Sequence, residues 1–240
     1  MKLRYDLHLH SCLSPCGADD MTPANMVGMC RLAGLDVIAL TDHNTTGNCR
    51  AFCRAAERMG LLALPGMELT TREEVHVVCL FPELEQAEGF GEEVYRHLPE
   101  RENDPAVFGC QILMDDQDLV LGEEERLLAG STDLSMEQAA ALVRRWGGLA
   151  YPAHIDRPSF SLISNLGFWS PEPGFPLAEL SPHADQAEWR KRPDLRGVPF
   201  VVSSDAHYLH EIPDASHTLS TAERTPQAVI DALEHLDGDV

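Results

Sequence analysis

Short apolar runs alternate along the chain with segments whose apolar residues recur every three or four positions. The runs predict strands over residues 3–10, 36–41, 61–65, 76–81, 148–154, 177–181 and 199–204. Between them the longer period predicts helices. Thr22-Pro23 reads as an N-cap followed by a proline suited to the first turn, and Gly34 closes that helix. A second helix is expected over 47–59, ended by Gly60. Ser135 with Gln138 three residues later is a capping-box signature for a helix over 136–146. Thr225-Pro226 opens a last helix that runs to Leu236.

Strand and helix in alternation predict an α/β fold, a parallel sheet with helices outside. Seven strands can close into a TIM-like barrel or lie open and doubly wound. Residues 83–132 break the rhythm. They are acidic and carry apolar runs at 110–115 and 119–121 around Asp116-Gln117-Asp118, which predicts a hairpin insertion within a single domain over 1–240. No internal repeat or low-complexity tract is present.

Composition narrows the function classes. Lys and Arg number 18 against 39 Asp and Glu, giving a net charge of −21. Apolar residues make up 44% and the mean hydropathy is −0.19, so the chain can bury a core and is not disordered by composition. So acidic a chain is a poor match for long polyanions or anionic membranes, which are held by Lys and Arg. No apolar run reaches the roughly 18 residues of a membrane span. The start, Met1-Lys2-Leu3-Arg4, leads straight into a polar strand pattern rather than a secretory signal, so a cytoplasmic protein is expected. Seven cysteines (12, 16, 30, 49, 53, 79 and 110) make an odd count, which fits reduced thiols. Cys12 and Cys16, and Cys49 and Cys53, lie four apart and lack zinc-knuckle spacing. They are expected to act as small buried hydrophobes.

The candidate chemistry sits at the strand ends. His8 and His10 are two apart on one strand, so both rings point to one face. His43 follows the second strand, Glu68 the third, His154 the fifth, and Asp205 and His207 the seventh, while His76 starts the fourth. In a parallel barrel the carboxyl ends of the strands converge on one face, where active sites are built. Imidazole and carboxylate gathered there suit Zn, Mn or Fe, and the lack of thiolate argues against a structural zinc. His97, His183, His210, His217 and His235 lie outside the pattern.

His8-Leu9-His10-Ser11, Thr41-Asp42-His43-Asn44, Gly66-Met67-Glu68 and Ser204-Asp205-Ala206-His207, in that order, resemble the motifs of the PHP (polymerase and histidinol phosphatase) family. The resemblance spans residues 5 to about 210. It implies a distorted seven-stranded (βα)7 barrel and a cluster of two to three divalent metal ions. One ion would be held by His8, His10, Glu68 and Asp205. A second would take His43, His207 and an acid from the loop after the first strand. A third would take Glu68 as a bridge with His76 and His154. The loop departs from the family's usual Ser-Asp-Gly pattern and reads Ser14-Pro15-Cys16-Gly17-Ala18-Asp19-Asp20, so Asp19 or Asp20 is expected to supply the acid, with Asp19 preferred.

Such a cluster activates a water for attack on a phosphoester. Asp42 and Arg157 are the candidate catalytic side chains. Asp42 would assist the leaving group or orient a ligand histidine, and Arg157, three residues after His154, would bind phosphate oxygens. Arg72, Ser159 and Ser161 are further options, and 160–169, with Phe168 and Trp169, is a candidate wall of the site. The expected function is a phosphoesterase acting on a small phosphorylated metabolite such as histidinol phosphate, a sugar phosphate or a nucleotide. The alternatives are a nuclease on DNA or RNA, disfavoured by the charge, and a non-catalytic metal-binding or scaffold module.

Overall fold

The computed structural model describes residues 1–238. Its strands are β1 (Lys2–Leu9), β2 (Val37–Leu40), β3 (Leu62–Thr70), β4 (His76–Leu80), β5 (Ile112–Met114), β6 (Val120–Glu123), β7 (Leu149–Pro152), β8 (Ala178–Leu180), β9 (Phe200–Val202) and β10 (Thr218–Ser220). The helices that matter for the site are α1 (Pro23–Leu32), α2 (Cys49–Met59), α3 (Leu84–Tyr95), α4 (Pro105–Phe108), α5 (Met136–Arg145), α6 (Leu162–Leu166), α7 (Gln186–Trp189) and α8 (Pro226–Glu234). None of them is long and apolar enough to cross a membrane.

The architecture is α/β, but the hydrogen bonding is not that of a closed, all-parallel seven-stranded barrel. Six strands form one curled sheet in the order β10-β1-β2-β3-β4-β7, and β8 pairs with β9 in a separate parallel pair. The two sheets meet at seams. At one, the Ile155 N–H donates to Glu179 O (2.9 Å). At the other, Asp205 N–H donates to His8 O and His10 N–H to Ala206 O, both at 3.0 Å. The backbone bonds of the second seam lie just past the end of β9, which draws the ring together at the rim that carries the site, while the Val202 N–H donates to Tyr5 Oη (3.4 Å) further along the strands.

Strand direction departs from the expected pattern too. β1, β2 and β3 run parallel, whereas β4 pairs antiparallel with β3 and with β7. The cause is connection length. Residues 71–75 are too few for a parallel crossover, which needs a dozen or more. This reversal places His76, at the start of β4, opposite Thr70 near the end of β3. A residue at the start of an all-parallel strand would lie at the far rim.

Four apolar clusters build the described body, and β1 contributes to two of them. Leu3, Tyr5 and Leu7 of β1 join Val37, Ala39, Leu64, Tyr151 and Val201, together with Val229, Ile230 and Leu233 of α8. Leu9 instead joins Ile38, Leu40 and the buried faces of α1 and α2. Between Asp6 and Leu9 the β1–β2 register shifts. Irregularities of this kind re-aim side chains, and past it His8 and His10 turn into the site while Leu9 packs under the helices.

The segment 83–132 is not wholly an insertion. It opens with α3, whose Ala87, Phe90, Gly91 and Val94 are buried at helical spacing. Two glycines and four glutamates among its twelve residues masked that pattern. The expected hairpin follows later as β5 and β6. Phe90 is fully buried and its ring lies 4.9 Å from that of Phe81. Phe90→Ala is therefore expected to lower unfolding stability by about 3–5 kcal/mol. Urea denaturation followed by circular dichroism checks this; a loss under about 1 kcal/mol would contradict the packing described.

Candidate metal centre

Glu68 lies at the centre of the site. Its carboxylate is fully buried and touches five imidazoles. Oε1 lies 2.8 Å from His76 Nδ1, 3.0 Å from His154 Nε2 and 3.3 Å from His8 Nε2. Oε2 lies 3.0 Å from His43 Nδ1 and 3.2 Å from His10 Nε2. Asp205 faces the same point, with Oδ1 at 3.0 Å from His10 Nε2 and 3.2 Å from His8 Nε2. Burial alone drives Glu68 toward protonation, but His76, His8 and His43 outweigh it and hold the carboxyl well below the usual range. Asp205 is likewise held low against burial, by His8 and His10.

The hydrogen bonds behind the rings decide which nitrogens face inward. His8 Nδ1 is bonded to Glu179 Oε1 at 2.8 Å, so Nε2 is the atom left for the centre. Ser14 Oγ donates to Asp42 Oδ1 (2.7 Å) and receives the His43 N–H (3.1 Å). A serine has one proton to give, so its 2.9 Å contact with His10 Nδ1 is a bond donated by the ring. His10 Nε2 then presents a lone pair. His207 Nδ1 donates to Asp205 O at 2.8 Å, leaving its Nε2 free. Burial pushes His76 down to about 4 against the pull of Glu68, so that ring is neutral near pH 7.

Lone pairs and carboxylate oxygens thus converge. His8 Nε2 and His10 Nε2 are 3.1 Å apart. Glu68 Oε2, Asp205 Oδ1 and the Nδ1 atoms of His43 and His76, all facing this point, are buried without a hydrogen-bond partner. So many unsatisfied acceptors in one place need a cation to compensate them. Three overlapping groups have ligand atoms within 4.8 Å of one another: His8, His10, Glu68 and Asp205; His10, His43 and His207; and His43, Glu68 and His76. The donor set, imidazole and carboxylate, fits divalent transition metals. His154 touches Glu68 but belongs to none of the three groups.

Three of the residues expected here, Asp19, Asp20 and Asp42, lie away from the centre. Asp19 and Asp20 are exposed and belong to none of the ligand groups. The loop turns back before it reaches them; the exposed Cys16 lies beside His43 and His207 but belongs to none of the ligand groups either. Burial would raise that thiol, but the two imidazoles outweigh it and lower it to about 5. Asp42 does not face the centre. It accepts from Ser11 N–H (2.7 Å), Ser11 Oγ (2.6 Å) and Ser14 Oγ, and so shapes the loop that orients His10. Arg157 pairs with Asp205 Oδ2 at the rim, its side chain 41% exposed. Arg72 pairs with Glu73 in solvent, and Ser161 caps α6. Phe168 is exposed and Trp169 packs in the core.

Glu179 is the residue that motif reading missed. It is fully buried in β8 and binds both His8 Nδ1 and the His154 N–H (3.1 Å). A lone carboxylate inside the apolar run Leu177-Ala178-Glu179-Leu180 was its signal. Backbone strain marks the same rim, since His154 (φ 26°), Asp205 (φ 54°) and Phe160 (φ 52°) adopt positive φ.

The sequence pattern of the PHP domain family matches residues 6–144. The chain belongs to the PHP domain family. Among curated proteins, a 5'-3' exoribonuclease of Haemophilus influenzae is 32% identical over 83 residues, 33% of this chain and 29% of that protein. Among solved structures, the lesion-specific endonuclease EndoQ of Pyrococcus furiosus superposes with a TM-score of 0.70 at 19% identity, covering 99% of this chain and 57% of that one. A proposed metal-dependent phosphoesterase of Bifidobacterium adolescentis has a TM-score of 0.57 at 18% identity, covering 97% of this chain and 94% of that one. The chain therefore spans just over half of the endonuclease and under a third of the exoribonuclease.

Ser14 joins the loop to the ligand rings. Ser14→Ala removes the acceptor for His10 Nδ1–H and leaves Asp42 short of a donor, at a cost of about 1–3 kcal/mol. Equilibrium denaturation of the metal-free protein is expected to show that loss; wild-type stability would contradict the proton assignment.

Proposed function

We propose that this PHP chain is a metal-dependent phosphoesterase that acts on a small phosphorylated molecule. The observation that carries the reading is the convergence of His8, His10, Glu68 and Asp205 on one buried point, with their other polar atoms committed elsewhere. These four would hold one divalent ion, and His43, His76, His154 and His207 would serve one or two more. Ions bound there supply an activated water and neutralise charge that builds on the phosphoryl oxygens.

The chain's own residues do the rest. Glu179 and Ser14 fix the ring orientations of His8 and His10, so the donors need not reorganise during turnover. Arg157, half free at the rim, is placed to swing from Asp205 to a phosphate oxygen. Its planar fork suits two oxygens at once. Phe160 stacks on His76 with ring centroids 4.8 Å apart and is 43% exposed, offering an apolar face beside the centre. A sugar or a base attached to the phosphate would lie against it. A non-catalytic scaffold has no need of so complete a donor set.

The second reading is a nuclease. The likeness to a 5'-3' exoribonuclease over part of the chain favours it. The net charge of −21 favours a small or terminal phosphoester over a long strand.

Two outcomes test these readings. Protein loaded with Mn or Zn is expected to hydrolyse a generic aryl phosphate, and His8→Ala or Asp205→Ala is expected to lower the rate at least 100-fold. Undiminished rates in both variants would refute the site. Sugar phosphates and mononucleotides are expected to turn over faster than a 5'-phosphorylated oligoribonucleotide or a duplex with an abasic lesion. The reverse order would replace the small substrate with a nucleic acid. Separately, Glu179→Gln is expected to weaken metal affinity by about 10–100-fold, read by competition with a chelator; unchanged affinity would remove Glu179 from the centre.

A further inference from the structure

Side chains hold the seam between β1 and β9 where a sheet would use a ladder. Tyr5 Oη receives the Val202 N–H and Ser203 Oγ the Leu7 N–H, each at 3.4 Å. One oxygen of Asp6 spans the seam alone. Its Oδ1 accepts from His8 N–H (3.4 Å) on one side and from Ser204 N–H (3.1 Å) on the other. Asp6 therefore ties the strand that carries His8 to the segment that leads into Asp205. A cavity of about 40 Å³ lies in this seam, lined by Tyr5, Asp6, Ser203 and Ser204 and bounded by residues 213–217.

The second oxygen of Asp6 is uncommitted. The residue is 2% exposed, and its Oδ2 has no hydrogen-bond partner. With Oδ1 turned to the two backbone N–H groups, Oδ2 is the atom that Asp6 offers to the cavity. Nothing nearby supplies a positive charge. His8 shares the strand, but its Nδ1 is bonded to Glu179 and its Nε2 faces Glu68 and Asp205. His217 also lines the cavity, and burial holds it below its usual range, so it is neutral near pH 7. Ser204 Oγ is committed to His8 O (3.5 Å) and to the Ala206 N–H (3.2 Å). A buried carboxylate oxygen with neither a donor nor a positive partner is costly.

We propose that this cavity is a monovalent-cation site, in which Asp6 Oδ2, the Tyr5 and Ser203 hydroxyls and water hold a sodium or potassium ion. Carboxylate and hydroxyl oxygens suit hard cations. One carboxylate balances one positive charge, whereas a divalent ion would leave a second charge buried without a partner. The space exceeds the roughly 10–15 Å³ that a single water needs, so an ion fits with a water beside it. The site shares no side chain with the imidazole–carboxylate centre. Its ion neutralises the carboxylate that ties the two ligand-bearing segments, and so steadies the positions of His8 and Asp205. The site stands whether or not the chain hydrolyses phosphoesters.

Full-length protein stripped of divalent ions is unfolded by heat at pH 8 in sodium, potassium or tetramethylammonium chloride at equal ionic strength. Tetramethylammonium is too large for the cavity and serves as the reference. The wild-type midpoint is expected to be about 3 °C or more higher in sodium or potassium than in the reference salt. Asp6→Asn keeps the shape of the side chain without its charge, and is expected to lose that difference. Wild-type crystals soaked in rubidium chloride are expected to show an anomalous peak beside Asp6 Oδ2. Equal wild-type midpoints in the three salts, or an Asp6→Asn variant that keeps the full difference, would overturn the site. Water-like density in the cavity with no anomalous peak, or a rubidium peak only at the imidazole–carboxylate centre, would overturn it even if Asp6→Asn failed to fold.

Discussion

One constraint orders this molecule: a carboxylate buried at its centre, ringed by five imidazoles. A lone buried carboxylate is not tolerated, because desolvation of its charge costs several kcal/mol that hydrogen bonds or nearby positive charge must offset. Glu68 meets that need by drawing His8, His10, His43, His76 and His154 within 3.3 Å. Their neighbours then fix which nitrogens face it. Whatever sits among them must be positive, whether protons or metal ions. The strand order, the bulge in β1 and the reversal of β4 can be understood as the means of bringing these side chains to one rim.

Rigidity around the centre comes from small, buried polar contacts rather than from the ligands themselves. Asp42, Ser11 and Ser14 form one knot, with Asn48 Nδ2 donating to Ser11 Oγ at 3.0 Å. Glu179 ties the His8 side chain to the backbone of His154, across the seam where β7 and β8 share no ladder. That bond bridges the gap in the sheet at the point where the metal ligands need it closed. The same side chain therefore serves fold and chemistry, which is why a carboxylate is worth burying in a three-residue strand.

Much of this was legible in the sequence, for identifiable reasons. Strand and helix positions followed from period and caps: Ser135 and Gln138 form the predicted capping box, and Thr22 and Thr225 cap α1 and α8. The histidines at strand ends were visible because each stood beside a run of apolar residues. Ring closure was not, since it depends on seams between strands far apart in sequence. The direction of β4 was recoverable from the short 71–75 connection but was masked by the strand–helix rhythm. Helix α3 hid behind its glutamates and glycines. Asp19 and Asp20 looked like ligands because residue type was read without loop geometry; the loop turns at Gly17, short of them, and leaves both exposed.

The central claim is that the buried ring of imidazoles and carboxylates exists to hold divalent ions. Anomalous diffraction at the zinc edge, from crystals grown with zinc, tests it most directly. The account predicts a strong peak among His8, His10, Glu68 and Asp205, with further density toward His43 and His207. A map with no peak at that point, or with zinc bound only elsewhere on the surface, would contradict it.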